Sequence, residues 1–318
     1  MKPDVLLVWP NRPRQMAMLE DIYTLHRHDL AKNPEALLRE VGGRVSALAT
    51  TGGKGLKRDL IEQLPNLKLV ASAGVGYDTI DIAACNERGI VVTNTPDVLT
   101  DDVADLGLAL ILATQRGLVA GDRWVREGRW KREGMMPLQT AIRGKRLGIV
   151  GLGRIGRAVA LRALPLGMEI SYFGRSRQSA VPYRFHDDLE AMCRDVDILL
   201  LSCAGGEATR NLVNADVLKA LGPKGTLINI ARGTVVDEPA LIEALKTGGI
   251  AGAGLDVFAS EPDPSEALIA MGNVVLYPHH ASGTVETRDA MAQLVVDNLA
   301  AFFAGKPLLT PVNLPPGA

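Results

Sequence analysis

The chain is short of the residues that mark a metal centre, a disulfide scaffold or a polyanion-binding surface. Its 318 residues contain three cysteines, Cys85, Cys193 and Cys203. Their spacing matches no metal motif and an odd number cannot all pair, so they read as reduced core thiols in a reducing compartment. The formal net charge is −1. That balance gives no electrostatic reason to expect nucleic acid or an anionic membrane as partner. Long apolar runs are missing too. Val5–Trp9 is far too short for a signal peptide and reads as a first strand. The apolar run near 106–113 is too short to span a bilayer. The expected location is the cytoplasm, with no membrane partner. The length suggests two domains.

The informative stretch is Arg146-Leu-Gly-Ile-Val-Gly-Leu-Gly-Arg-Ile-Gly156. Apolar residues Leu147 to Val150 run into Gly151, Gly153 and Gly156, and an amphipathic segment follows with Ile155, Val159, Leu161 and Leu164. The pattern predicts strand, glycine turn and helix. Gly151 permits a tight turn, Gly153 lets the backbone approach a pyrophosphate, and Gly156 lets the helix pack close to its strand. The helix N-terminus offers N–H groups and a positive dipole to phosphates. Gly151, Leu152, Gly153, Arg154, Ile155 and Gly156 are therefore candidate dinucleotide-binding residues.

The first hundred residues alternate strand-like and helix-like pieces: strands at Val5–Trp9, Val45–Ala49, Leu69–Ala71 and Ile90–Val92, a helix over Arg14–Ile22, and a helix start at Asn33-Pro34-Glu35. The glycine-rich loop Ala73-Gly74-Val75-Gly76-Tyr77-Asp78 follows a strand, where backbone N–H groups can face an anion; a plain tight turn fits the same spacing. Thr95-Pro96-Asp97 marks a domain crossing, after which Thr100 caps a helix that is apolar nearly all round from Val103 to Ala113. Such a helix is buried on several sides, between domains or between subunits. Trp124 to Thr140 reads as an irregular arm. His26 and His28 have no chemical partners along the chain and read as surface or turn residues. Thr284 begins a last helix through about Phe303, which returns to pack on the first domain.

The second half reads as βα units with strands at Leu147–Val150, Glu169–Phe173, Asp197–Ser202, Thr226–Ile230, Gly252–Val257 and Asn273–Leu276. Six such strands predict an α/β fold with a doubly wound parallel sheet, whose ligands sit at the carboxyl ends of the strands. The smaller first domain is expected to be flavodoxin-like. The expected division is 1–98 with 285–318 as a discontinuous substrate-binding domain, and 99–284 as a Rossmann cofactor domain.

The strand ends pick out the chemistry. After the second strand, Gly174-Arg175-Ser176-Arg177 lacks the acid that accepts from the ribose 2′-OH of NAD. Guanidinium groups pair with a 2′-phosphate, so Arg175, Ser176 and Arg177 point to NADP(H) over NAD(H); two solvated surface arginines leave the same pattern. After the fourth strand comes Ala231-Arg232-Gly233-Thr234. The fork of Arg232 suits a substrate carboxylate, and a structural ion pair is the competing reading. The fifth strand leads to Asp256 and Glu261-Pro262, and the sixth to Tyr277-Pro278-His279-His280. A carboxylate beside an imidazole on neighbouring loops makes an acid/base pair in which the protonated ring is favoured. Adjacent histidines alone do not make a zinc site, and no metal is expected.

Over essentially its whole length the chain resembles the D-isomer-specific 2-hydroxyacid dehydrogenase family. The carrying segments are Ala73–Asp81, Thr93–Ala113, Gly148–Gly156, Ile228–Asp237, Gly252–Pro262 and Pro278–Arg288. Thr93–Asp105 and Ser282–Arg288 look especially like the NADPH-dependent hydroxypyruvate, glyoxylate and hydroxyphenylpyruvate reductases. The resemblance implies reduction of small 2-keto acids to D-2-hydroxy acids by NADPH, and a homodimer. It implies that Arg232 binds the substrate carboxylate and polarises the keto oxygen, sharing the carboxylate with the N–H groups of Val75 and Gly76. His279 is implied as general acid, Glu261 as the group holding it charged and oriented, and Asp256 as a contact of the nicotinamide carboxamide. Cys203, Thr209 and Ile230, with Arg232 and His279, are implied to face the cofactor, and domain closure to expel water. The chain departs from the family at Cys203-Ala204-Gly205-Gly206, where many relatives carry a proline-containing loop. A bulkier 2-keto acid such as hydroxyphenylpyruvate is the alternative substrate. A dinucleotide-sensing binding protein of the corepressor branch is the alternative from another class, distinguished by turnover.

Overall fold

A computed structural model describes residues 2–314. It divides into two compact units: one contains the chain up to Leu99 and from Ser282 onward, the other Thr100–Ala281. Met1 and residues 315–318, assigned to the first domain from the sequence, lie outside the described residues.

The first unit holds five parallel strands, β1 (Asp4–Leu7), β2 (Thr24–Arg27), β3 (Ala47–Thr51), β4 (Leu69–Ala73) and β5 (Val91–Thr93). Helices α1 (Pro13–Ile22), α2 (Pro34–Val41), α3 (Arg58–Glu62) and α4 (Ile82–Glu87) connect them. The strand order is β2-β1-β3-β4-β5, the flavodoxin-like order. Successive residues point to opposite faces of the sheet. Leu6, Leu48, Val70 and Val92 enter one core. Val5, Leu7, Ala47, Ala49, Leu69 and Ala71 enter the other, where the C-terminal helix Val285–Phe303 adds Val295, Val296 and Leu299. Burial on both faces is why these strands read as apolar runs. Beyond that helix, Val312 N–H donates to the Val92 carbonyl at 2.9 Å, Asn313 Oδ1 accepts from Val92 N–H at 2.6 Å, and the strap covers the open edge of β5.

β2 is a strand that periodicity did not reveal, because Thr-Leu-His-Arg is a polar edge. It corrects the reading of His26: Nε2 lies 2.6 Å from Asp4 Oδ1 across the β1–β2 pair, and the side chain is 11 % exposed.

The second unit contains α5 (Thr100–Gln115), α6 (Leu118–Arg126), α7 (Arg129–Glu133), β6 (Arg146–Val150), α8 (Arg154–Ala163), β7 (Glu169–Phe173) and β8 (Arg184–His186). It continues through α9 (Leu189–Asp195), β9 (Ile198–Leu201), α10 (Ala215–Leu221), β10 (Thr226–Asn229), α11 (Glu238–Lys246), β11 (Gly252–Leu255), α12 (Glu266–Ile269) and β12 (Val274–Leu276). The seven strands are parallel in the order β12-β11-β10-β9-β6-β7-β8. The order reverses between β6 and β9, which makes the ends of those strands the ligand-binding crevice of a doubly wound sheet. Six strands were expected; the seventh, β8, is three residues long and mixed in character, too short for a period to register.

Helix α5 buries Val103, Ala104, Leu110 and Ile111 within this unit, while Leu106, Leu108 and Leu112 stay half-buried. A Cβ at Gly107 would stand 3.0 Å from Ile230 Cδ1 and 3.4 Å from Val159 Cγ2, so the helix lies close against the end of β10 and against α8. The irregular arm expected from Trp124 to Thr140 is in part helical. α6 and α7 are separated by Gly128 at φ 68°, and each carries an i,i+4 ion pair, Asp122–Arg126 and Arg129–Glu133. The Arg129 guanidinium lies 3.7 Å from the Trp124 ring centroid. These helices are too short to announce themselves. Among the described residues, no single helix is long and apolar enough to cross a membrane.

Candidate active site

The turn after β6 is shaped by its glycines. Gly151 has φ 91°, and a Cβ there would lie 2.7 Å from Cys203 Cα. A Cβ on Gly156 would strike the Gly151 carbonyl oxygen. Ser202 Oγ donates to that same oxygen at 2.8 Å, joining the ends of β6 and β9. Gly153 is different: a Cβ there would meet nothing within 4 Å. It is the N-cap of α8 and brings no side chain to the helix end. Open space before an uncapped helix N-terminus fits a pyrophosphate. Leu152 is buried, and Arg154 and Ile155 begin the helix. Cys203 is half-buried across the turn and Ile230 is buried. Thr209 turns inward on its own loop, with Oγ1 donating to the Ala204 carbonyl at 2.8 Å. Burial pushes the thiols of Cys85 and Cys203 up to about 11 and that of Cys193 up to about 12, which keeps all three protonated.

Arg175, Ser176 and Arg177 are exposed in the loop after β7, the strand next to β6. Sequence reasoning did not single out the next residue, Gln178. Its Nε2 donates to the Leu152 carbonyl at 2.9 Å, and its Oε1 accepts from Arg157 Nη2 at 2.5 Å.

Arg232, Glu261 and His279 come from the loops after β10, β11 and β12. Glu261 Oε2 lies 2.6 Å from His279 Nδ1, and Glu261 Oε1 accepts from Phe258 N–H at 2.9 Å. Burial pushes the Glu261 carboxyl up, but the bond with His279, the Phe258 N–H and the charge of Arg232 outweigh it and hold the group below its ordinary value. His279 has φ 47°, a left-handed conformation that costs a non-glycine residue about 1–2 kcal/mol. Asp256 holds it there: the Asp256 carbonyl accepts from His279 N–H at 2.7 Å, and its carboxylate accepts from His280 N–H at 2.8 Å and Ala281 N–H at 3.3 Å. Asp256 is 1 % exposed, and burial pushes its carboxyl up to about 6.

The Arg232 loop rests on the Glu261 loop. A Cβ on Gly233 would run into the Phe258 carbonyl, so only glycine permits this approach. Two supports were not visible along the chain. Asn229 holds the turn through Nδ2 to the Arg232 carbonyl and Oδ1 from Ala231 N–H, both at 3.0 Å. Glu238 Oε2 accepts from Ala259 N–H at 2.9 Å. Both sit in ordinary helix-start and strand-end contexts, so no sequence signal marks them. Among the described residues, no group of three or more His, Cys, Asp or Glu side chains could hold a metal ion.

In the first unit, Val75 and Gly76 follow β4. Gly74 N–H donates to Thr95 Oγ1 at 2.8 Å and Asn94 Nδ2 to the Val75 carbonyl at 2.9 Å. Asn94 is in turn held by the C-terminal strap: Thr310 Oγ1 donates to the Asn94 carbonyl at 2.6 Å and accepts from Asn298 Nδ2 at 3.0 Å.

A glycine turn that fits a dinucleotide, with a paired carboxylate and imidazole on the strand ends of the same sheet, defines a dehydrogenase-type site. Residues 108–281 match the D-isomer specific 2-hydroxyacid dehydrogenase NAD binding domain. The chain belongs to that family and is an oxidoreductase of the Rossmann type. It is 51 % identical over 268 residues to hydroxyphenylpyruvate reductase of Plectranthus scutellarioides, covering 84 % of this chain and 85 % of the relative. It is 47 % identical over 308 residues to glyoxylate/hydroxypyruvate reductase A of Arabidopsis thaliana, covering 97 % and 98 %. The structure of an NADPH-dependent glyoxylate/hydroxypyruvate reductase from Sinorhizobium meliloti, solved with NADP and malonate, superposes with a TM-score of 0.92 at 44 % identity, covering 99 % of this chain and 98 % of that one.

Proposed function

We propose that the chain reduces small 2-keto acids, with glyoxylate and hydroxypyruvate as substrates, to D-2-hydroxy acids using NADPH. The observation that carries this reading is the 2.6 Å contact between Glu261 and His279, on a loop packed against the one bearing Arg232. The glycine turn and α8 N-terminus would hold the pyrophosphate, and the bound nicotinamide supplies the hydride. Arg232 binds the substrate carboxylate and draws electron density from the keto oxygen. The N–H groups of Val75 and Gly76 are assigned to the carboxylate as well. Glu261 engages Nδ1 of His279, which leaves Nε2 to give its proton to the forming alkoxide. Asp256 keeps the His279 backbone in its left-handed turn.

Two exposed arginines and no carboxylate in the loop after β7 support NADPH over NADH. The exposed apolar side chains Leu118, Val125, Trp130 and Leu138 on and after α6 and α7 support a homodimer. Three protonated thiols suit a cytoplasmic setting. The 51 % identity to a hydroxyphenylpyruvate reductase favours one second reading, a bulkier aromatic pyruvate as substrate.

The test is the initial rate of cofactor oxidation with glyoxylate, hydroxypyruvate and 4-hydroxyphenylpyruvate, each with NADPH and NADH. Fast NADPH turnover with the small acids is expected. Preference for the aromatic acid selects the second reading, and tight cofactor binding without turnover on any keto acid refutes the reductase.

A further inference from the structure

We propose that Gln178 is a positioning residue that sets the discrimination between NADPH and NADH. The inference rests on the NADPH reading above and names the device behind it. The loop 174–178 has no regular structure, and its two arginines are exposed. Its far end is nevertheless tied at three points, all through Gln178. The backbone N–H of Gln178 donates to the Tyr172 hydroxyl at 2.7 Å, and Tyr172 is 1 % exposed, a fixed post in the core. The side-chain Nε2 donates to the carbonyl of Leu152 inside the glycine turn at 2.9 Å. The side-chain Oε1 accepts from Arg157 Nη2, on the first turn of α8, at 2.5 Å.

One side chain thus locks the arginine-bearing loop to the helix N-terminus. These are the two anion-facing elements of the unit, and a dinucleotide with a 2′-phosphate must satisfy both at one fixed spacing. A dinucleotide without that phosphate uses the helix end alone and is indifferent to the spacing. Glutamine is suited to the task because it donates to a carbonyl and accepts from a guanidinium at once. Glutamate could only accept, and asparagine is one carbon shorter. The amide is also neutral, so the charge of Arg157 stays uncompensated and adds to the positive potential of Arg175 and Arg177.

The experiment compares kcat/KM for NADPH and for NADH in the wild type, Gln178→Ala and Gln178→Glu. Loss of two side-chain hydrogen bonds, one to a charged group, is expected to lower the NADPH-to-NADH ratio about tenfold in Gln178→Ala. Gln178→Glu lowers it further, because its carboxylate repels the 2′-phosphate while keeping Arg157. Calorimetric binding of 2′,5′-ADP weakens in the same order, and 5′-AMP binding changes less. Gln178→Glu and the two nucleotides decide the matter if Gln178→Ala folds poorly. A purely structural link would lower both cofactors equally and leave the ratio unchanged, which overturns the proposal while the NADPH reading stands. A wild-type ratio near one overturns both, and it is measured before any substitution is made.

Discussion

Replacing Glu261 by Gln tests whether the charge on this residue, rather than its shape, drives the proton transfer. Gln keeps an oxygen for the Phe258 N–H, bonded at 2.9 Å in the native protein, and turns an amide NH2 toward His279 Nδ1, where a carboxylate oxygen stood at 2.6 Å. An amide NH2 cannot accept from a protonated Nδ1. The ring therefore settles as the neutral tautomer with its proton on Nε2, a weaker acid than the imidazolium. Two opposite charges about 4 Å apart are worth about 4 kcal/mol at an effective dielectric of about 20. The side chains of His279 and Glu261 are 39 % and 32 % exposed, so solvent screening reduces the figure. About 2 kcal/mol, the order of a hydrogen bond to a charged group, is the working value. That predicts a fall in kcat of about 30-fold near neutral pH. The assay is kcat at saturating NADPH near neutral pH, with the urea midpoint measured alongside. An unchanged kcat would refute the electrostatic argument and leave Glu261 as a mere prop for its loop.

Two further outcomes follow from the supporting residues. Asp256 is raised by burial from its ordinary 3.8 to about 6. Its folded value lies above its unfolded one, so the associated stability is complete below about pH 4 and is lost as pH rises through about 6. The loss is on the order of 3 kcal/mol. Asp256→Asn cannot ionise, so urea midpoints measured from about pH 4 to about pH 7 should move in the variant's favour relative to wild type; a constant difference would contradict this. Thr310→Val removes the hydroxyl that links Asn298 to Asn94 and through it to the Val75 carbonyl. One lost hydrogen bond of about 1 kcal/mol should raise KM for the keto acid about fivefold with a smaller effect on kcat, and Thr310→Ser should restore it. An unchanged KM with a lowered melting temperature would make the strap structural only.

The sequence by itself determined what depends on local chemistry. The glycine turn at Gly151–Gly156 was legible because backbone conformation and close packing demand glycine at particular steps of a strand–turn–helix. The buried parallel strands were legible as apolar runs because helices cover both faces of each sheet. The loops bearing Arg232, Glu261 and His279 were legible as strand ends, and the resemblance to a family supplied their roles. Tertiary structure alone decided what depends on neighbours distant along the chain. β2 and β8 are short, polar edge strands that exist because a partner strand pairs with them. His26 acquires Asp4 only across the β1–β2 pair. Gly233 beneath Phe258 and Asp256 beneath the His279 turn acquire these contacts only in the fold, and Gln178 between the arginine loop and the glycine turn carries no motif. Each draws its meaning from one hydrogen bond or one close approach, and a fold must exist before such a contact can.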